Sequence, residues 1–380
     1  LVVDGDRHTA KVPTTADQSV GVLDGIEKAC DAAGIDPAAI DAFAHAMTVS
    51  VNALLERDGA TTALVTTAGF RDVLEIARQD RPDLYDLNAT KPDPLVPRNR
   101  RFEIDERATT EGIEQPVDPD DVRDLAHEIA ATDAESVVVC LLHAYAHPEN
   151  EQRVADSLRE TLDVPVSASH EVLPEFREFE RTATTAVDAY VTPAIRGYLN
   201  RLTERATDAG VPEPRIMQAN GGIADSETVS DRAVSTTLSG PAAGVVGAAA
   251  TAAESDATTA PSVVTFDMGG TSSDVSLVRN GQAERTTEAE IDGIPIRTPM
   301  VDVTTVGAGG GSVAWVDRGG ALRVGPESAG AEPGPACYGH GGDRPTVTDA
   351  NVVLGYIGDD TALGGELTLD TAAAYAVLAD

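Results

Sequence analysis

The residues with the clearest chemical potential lie together between positions 263 and 278. An apolar run leads into Asp267. Gly269 and Gly270 follow, then the hydroxyl residues Thr271, Ser272 and Ser273, then Asp274 and an alternating apolar pattern. This order predicts a β-hairpin whose turn carries no bulky side chain. Glycine adopts backbone conformations that other residues resist, so successive N–H groups of such a turn can converge on an anion. The hydroxyls add donors, and Asp267 at the strand end is placed to hold Mg²⁺ directly or through water. Asp274 is a second candidate, for the metal or for positioning a water. The alternative is a tight hairpin with solvated acids.

Other glycine-rich stretches fit phosphate-binding patterns less well. No lysine follows a glycine anywhere in the chain, which excludes a Walker A loop. Residues 307–312 miss GxGxxG because Ser312 stands where the last glycine belongs, and residues 313–316 read as strand where a dinucleotide fold needs helix. Gly309, Gly310 and Gly311 remain candidates to cradle an anion or admit a substrate to the backbone, against a simple bulge. Residues 239–248 read as a helix start, with Ser239 as a cap, Pro241 in the first turn and small residues suited to close packing.

Three further groupings offer chemistry. His143 and His147 are four apart, but Pro148 follows at once, so a loop or strand end is expected rather than a metal pair on one helical face. Cys337 and His340 lack two more ligands at sensible spacing and read as structural. His170 with Glu171, and Glu178, Glu180 and Arg181, could serve acid–base work. An ion-paired helix start is the plainer alternative.

The elements that position these groups alternate between helical and strand-like patterns, an α/β signature. Helices are expected over residues 17–33 (closed by Gly34), 49–57, 70–77, 119–131 and 149–162, and strands over 62–67, 137–142 and 164–168. Four prolines between 81 and 101 mark a long irregular loop. Residues 175–208 form the longest helical stretch, interrupted at Pro193, and read as a connector between lobes. Short strands predominate from 263 to 324. A boundary near Arg181 gives domains 1–180 and 181–380. Leu1 opens a strand-like run that turns at Asp4-Gly5-Asp6, so an upstream partner strand is expected.

At 380 residues and 42% hydrophobic, the chain can bury a substantial core. Its net charge is -35, from 63 acidic and 28 basic residues, with the acid spread through every segment. No basic stripe is available to neutralise nucleic-acid phosphates, and the apolar content is too high for a disordered acidic chain. An acidic, solvated, halophile-type surface is expected, its self-repulsion screened by salt. Three cysteines without a CxxC imply no disulfide framework. No apolar run reaches membrane-spanning length and no signal segment opens the chain. A cytoplasmic location is expected.

Taken together, the segments resemble the hydantoinase A / 5-oxoprolinase family, which includes subunits of ATP-dependent acetone and acetophenone carboxylases. The resemblance is carried by residues 51–57, 69–76 (opening Gly69-Phe70-Arg71-Asp72), 81–87 (opening Arg81-Pro82-Asp83-Leu84-Tyr85), 169–175 and 178–182. It continues through Met217-Gln218-Ala219-Asn220-Gly221-Gly222, the hairpin, and residues 306–312, 325–339 and 346–351. It implies an α/β fold of the actin/Hsp70/sugar-kinase (ribonuclease H-like) type, with ATP and Mg²⁺ held between two lobes. The hairpin from Asp267 to Asp274 is then the second of two phosphate motifs. The first, of the Asp-Gly-Gly-Thr-Phe-Thr-Asp type, is expected just before Leu1, and a Gly-Gly-Ala-Gly-Pro adenosine motif just after Asp380. The chain by itself is therefore expected to bind ATP weakly or not at all, and to be inactive.

The implied reaction phosphorylates the carbonyl oxygen of a cyclic amide of the hydantoin or 5-oxoproline type. Ring opening is completed with a hydantoinase B-like subunit or domain, in an oligomer. The alternatives are the ATPase subunit of a ketone carboxylase, a small-metabolite kinase, and a non-catalytic, truncated family member. Three departures leave the substrate open: His45-Ala46-Met47-Thr48 for His-Gly-Thr-Thr, Asp188-Ala189-Tyr190 for Asn-Ala-Tyr, and Thr304 where many members carry histidine.

Overall fold

The computed structural model describes residues 1–12, 15, 17–254, 262–330, 332–358 and 368–379. Ala331, inside the resembling segment 325–339, and Asp380 lie outside the described residues.

The first half is built on a four-stranded, all-parallel sheet in the order Arg101–Ile104, Thr62–Thr67, Ser136–Cys140, Val166–Ala168. Side chains alternate across a strand, and a parallel sheet is buried on both faces. Accordingly Ala63, Val65, Val137 and Val139 pack with Leu125, Ile129, Val154 and Leu158 of the helices Pro119–Ala130 and Glu149–Thr161. Leu64, Val138 and Cys140 face the other way, toward Val187 and Val191 of the helix Glu178–Asp208.

Local signals account for many of the ends. Helix Gln18–Ala33 starts at Asp17, whose side chain accepts from Ser19 N–H, and stops at Gly34 in the left-handed region. Val2–Val3 pairs with Asp6–Arg7 across Asp4 and Gly5, both with positive φ, which suits a two-residue hairpin turn.

The structure departs from expectation at four places. Glu178–Asp208 is one continuous 31-residue helix through Pro193, not an interrupted one. An internal proline costs about 3 kcal/mol, but Val187, Val191, Ile195, Leu199 and Leu202 are all buried along this helix, and their packing outweighs it. The helix expected over 70–77 shrinks to Val73–Ile76. The irregular loop ends in a strand at Arg101–Ile104, paired to Thr62–Thr67. Ser239 does not cap its helix. It is the first helical residue of Ser239–Glu254, and its hydroxyl donates to Met47 O at 2.9 Å.

The second half adds the antiparallel hairpin Arg285–Ile291 and Ile294–Val301, whose Ile296 and Met300 join the core around the long helix. A separate small sheet holds Ser262–Met268, Ser273–Arg279, Gln282–Ala283 and Thr304–Val306. Helix Ser239–Glu254 covers one face of it through Ala242 and Val245. On the opposite face Val264, Phe266 and Met268 are exposed.

Candidate phosphate-binding site

Ser262–Met268 and Ser273–Arg279 pair antiparallel in unbroken register, with Asp267 opposite Asp274. Directly opposed residues project to the same face, so the two carboxylates stand side by side. Gly269 N–H donates to Ser272 O at 2.8 Å and closes the turn. Among the described residues, the N–H groups of Gly270, Thr271 and Ser272 have no hydrogen-bond partner, nor do the hydroxyls of Thr271 and Ser272. Gly270 and Thr271 are exposed. Successive unengaged backbone donors at the tip of a turn are what an anion requires.

The glycine-rich loop lies directly against this tip. Gly310 N–H donates to Gly269 O at 2.8 Å and Gly311 N–H to Gly270 O at 2.7 Å, while Gly309 N–H donates to Ser312 Oγ at 2.9 Å. A Cβ at Gly309 would stand 2.7 Å from backbone atoms of Gly270, Thr271 and Ser272, so no side chain fits. The amides of Gly309, Gly310 and Gly311 are thus engaged within the chain. The donors left free at the tip are those of the hairpin. Ser273 is buried and its hydroxyl donates to Ala308 O at 2.5 Å, tying the hairpin to the same loop.

Asp267 is exposed and has no hydrogen-bond or ion-pair partner among the described residues. Asp274 Oδ1 accepts from Thr305 Oγ1 at 2.7 Å. Thr305 is a residue that sequence reasoning missed, and it comes from a strand 31 positions away. Its neighbour Thr304 pairs with Val275 on the ladder. Among the described residues no group of three or more His, Cys, Asp or Glu side chains is arranged to hold a metal. Two carboxylates suit Mg²⁺, which keeps several waters and takes phosphate oxygens rather than an all-protein cage.

The remaining candidates lie elsewhere in structural settings. His143 has φ 55° and sits in a turn with Tyr145, and His147 approaches Thr110 O at 3.4 Å. Cys337 is buried, its thiol pushed up to about 12 by burial first and then by the adjacent Asp349. His340 is exposed. Glu180 pairs with Arg78, Glu171 pairs with Arg159, and the buried Arg181 donates to Leu141 O at 2.6 Å. Asp188 is buried, accepts from Ser167 Oγ and Val234 N–H, and has its pKa raised by burial. A cavity of about 710 Å³ opens between Arg78, Lys91, Phe179 and Gly293. None of residues 262–279 lines it.

Residues 181–380 match the hydantoinase/oxoprolinase family model, and residues 1–162 match that of the hydantoinase/oxoprolinase N-terminal region. The chain belongs to the hydantoinase/oxoprolinase family. Caprolactamase subunit alpha of Pseudomonas jessenii is 37% identical over 97% of this chain and 54% of its own length. The acetophenone carboxylase gamma subunit of Aromatoleum aromaticum is 37% identical over 98% of this chain and 54% of its own. The crystal structure of the ATP-dependent caprolactamase from Pseudomonas jessenii superposes with a TM-score of 0.82 at 36% identity, covering 98% of this chain and 56% of that one. This family member spans about half the length of the curated relatives it matches. No helix among its described residues is long and apolar enough to cross a membrane.

Proposed function

We propose that this chain supplies the second phosphate hairpin of an ATP-dependent enzyme that activates a cyclic amide. The reading includes a two-lobe, actin-like arrangement around the nucleotide. The observation that carries it is the row of three unengaged amides, Gly270 to Ser272, beside the paired carboxylates Asp267 and Asp274. The relatives' names support the substrate class, since they include a caprolactamase.

An amide resists water because its carbonyl is a poor electrophile. Transfer of the terminal phosphoryl group of ATP to the carbonyl oxygen, with release of ADP, gives an imidate-like phosphate that water can attack. The carbon–nitrogen ring bond then breaks, nitrogen leaving as the protonated amine, and a second water cleaves the resulting acyl phosphate into carboxylate and inorganic phosphate. In such transfers the protein positions groups and stabilises charge. Asp267 would hold Mg²⁺, Asp274 (fixed by Thr305) would orient it or a water, and the Gly270–Ser272 donors would hold phosphate oxygens. Gly309, Gly310 and Gly311 would act by shaping the tip. A hydantoinase B-like partner would complete ring opening.

The test uses the complete polypeptide, expressed from its whole reading frame, with its partner. Asp267→Ala is expected to lower ATP-dependent ring opening by about 100-fold, as loss of a key electrostatic group does. Unchanged turnover, or no Mg·ATP affinity in the unsubstituted protein, would overturn the reading. The acetophenone carboxylase relative favours one second reading, the ATPase subunit of a ketone carboxylase. ADP release that requires bicarbonate and a ketone would select it.

A further inference from the structure

We propose that Gly244 keeps open the space in which a cation at Asp267 completes its shell. The inference rests on the phosphate-hairpin reading and deepens it. Gly244 lies inside the helix Ser239–Glu254, where a glycine costs about 1 kcal/mol relative to alanine. Two usual reasons for such a glycine fail here. Its φ is not positive, so the backbone does not require it. Close packing does not require it either, because beyond its own helix backbone a Cβ at this position would meet one atom of the described residues within 4 Å.

That atom is Asp267 Oδ2, at 3.4 Å. The bare backbone of Gly244 therefore faces the carboxylate that has no hydrogen-bond or ion-pair partner among the described residues. An octahedral Mg²⁺ bound at about 2.1 Å keeps most of its ligands as water and phosphate oxygens, and these need room beside the carboxylate. A methyl group resting on Oδ2 would take part of that room and replace water with hydrocarbon. Gly247, on the same helix, would meet nothing among the described residues within 4 Å if it carried a Cβ. It serves as the control for helix propensity alone.

The experiment titrates ATP into the complete polypeptide with and without Mg²⁺, comparing the unsubstituted protein with Gly244→Ala and Gly247→Ala. For Gly244→Ala, Mg·ATP affinity is expected to fall about tenfold, with Mg-free ATP binding held within about twofold. Its Tm should not fall, because alanine is the better helix former. Gly247→Ala should keep both affinities. In an Asp267→Ala background, Gly244→Ala should add no further loss. If Gly244→Ala binds Mg·ATP as the unsubstituted protein does, or loses Mg-free binding equally, the role of Gly244 is overturned while the hairpin reading stands. If the unsubstituted protein shows no Mg²⁺-dependent nucleotide affinity, the hairpin reading falls and this one with it.

Discussion

Two histidines occupy opposite settings, and their effects on stability run in opposite directions with pH. His45 is half-buried and its Nε2 shares a hydrogen bond with the Tyr198 hydroxyl at 2.8 Å, while loss of solvent around the ring pushes its pKa down to about 4. Between pH 6.5 and 4 the unfolded chain binds this proton and the folded chain does not. Stability is therefore whole above 6.5 and falls as the solution is acidified, by about 3 kcal/mol at the full extent. Urea midpoints from pH 7 to 4.5 should show this slope, and His45→Gln should flatten it. His170 is the reverse case. Its Nδ1 donates to the buried Glu151 at 2.8 Å, and that bond raises its pKa. The stabilisation is present below 6.5 and is lost as pH rises through the folded value, so His170→Gln should lose less stability than the parent between pH 6.5 and 8.5. A parent curve flat over that interval would contradict the bond.

At the scale of elements, the hairpin tip depends on Gly309. Gly309→Ala forces a methyl against three backbone atoms at 2.7 Å, and overpacking of this kind costs about 1–3 kcal/mol or more. Urea unfolding should show that loss, and free amides at the tip should shift in NMR spectra. The hairpin itself was legible because its signals are local: an apolar run, an acid and a tight pair of glycines. Strand Thr62–Thr67 and the Gly34 stop were legible for the same reason. Arg101–Ile104 was not, because charged Arg101 and Glu103 and the prolines before it mask a strand that exists through pairing with Thr62–Thr67. Nor was the unbroken course through Pro193, since burial along the long helix decides it. The bond of Asp274 with Thr305 and the placement of Asp267 beside Gly244 bring together residues from separate elements, and no spacing rule announces them.

Over the whole molecule, 63 acidic residues face 28 basic ones. Like charges on a compact body repel, and added salt shortens their reach to a few ångströms at molar concentration. The urea midpoint should therefore rise between 0.1 and 2 M KCl, and a midpoint indifferent to salt would mark an ordinary acidic enzyme. Cys30, Cys140 and Cys337 are all buried and free, so reducing agent should leave the midpoint unchanged.

Screening also removes what holds neighbouring copies apart. Ser262–Met268 pairs along one side only among the described residues, and Val264 and Phe266 on it are 65% and 62% exposed. Natural sheets guard such rims with lysine, proline or a bulge, and this one relies on the charge of the body behind it. Brine that firms each molecule thus makes its suspension less durable: turbidity in 2 M KCl should grow with protein concentration, and Val264→Lys should keep the solution clear.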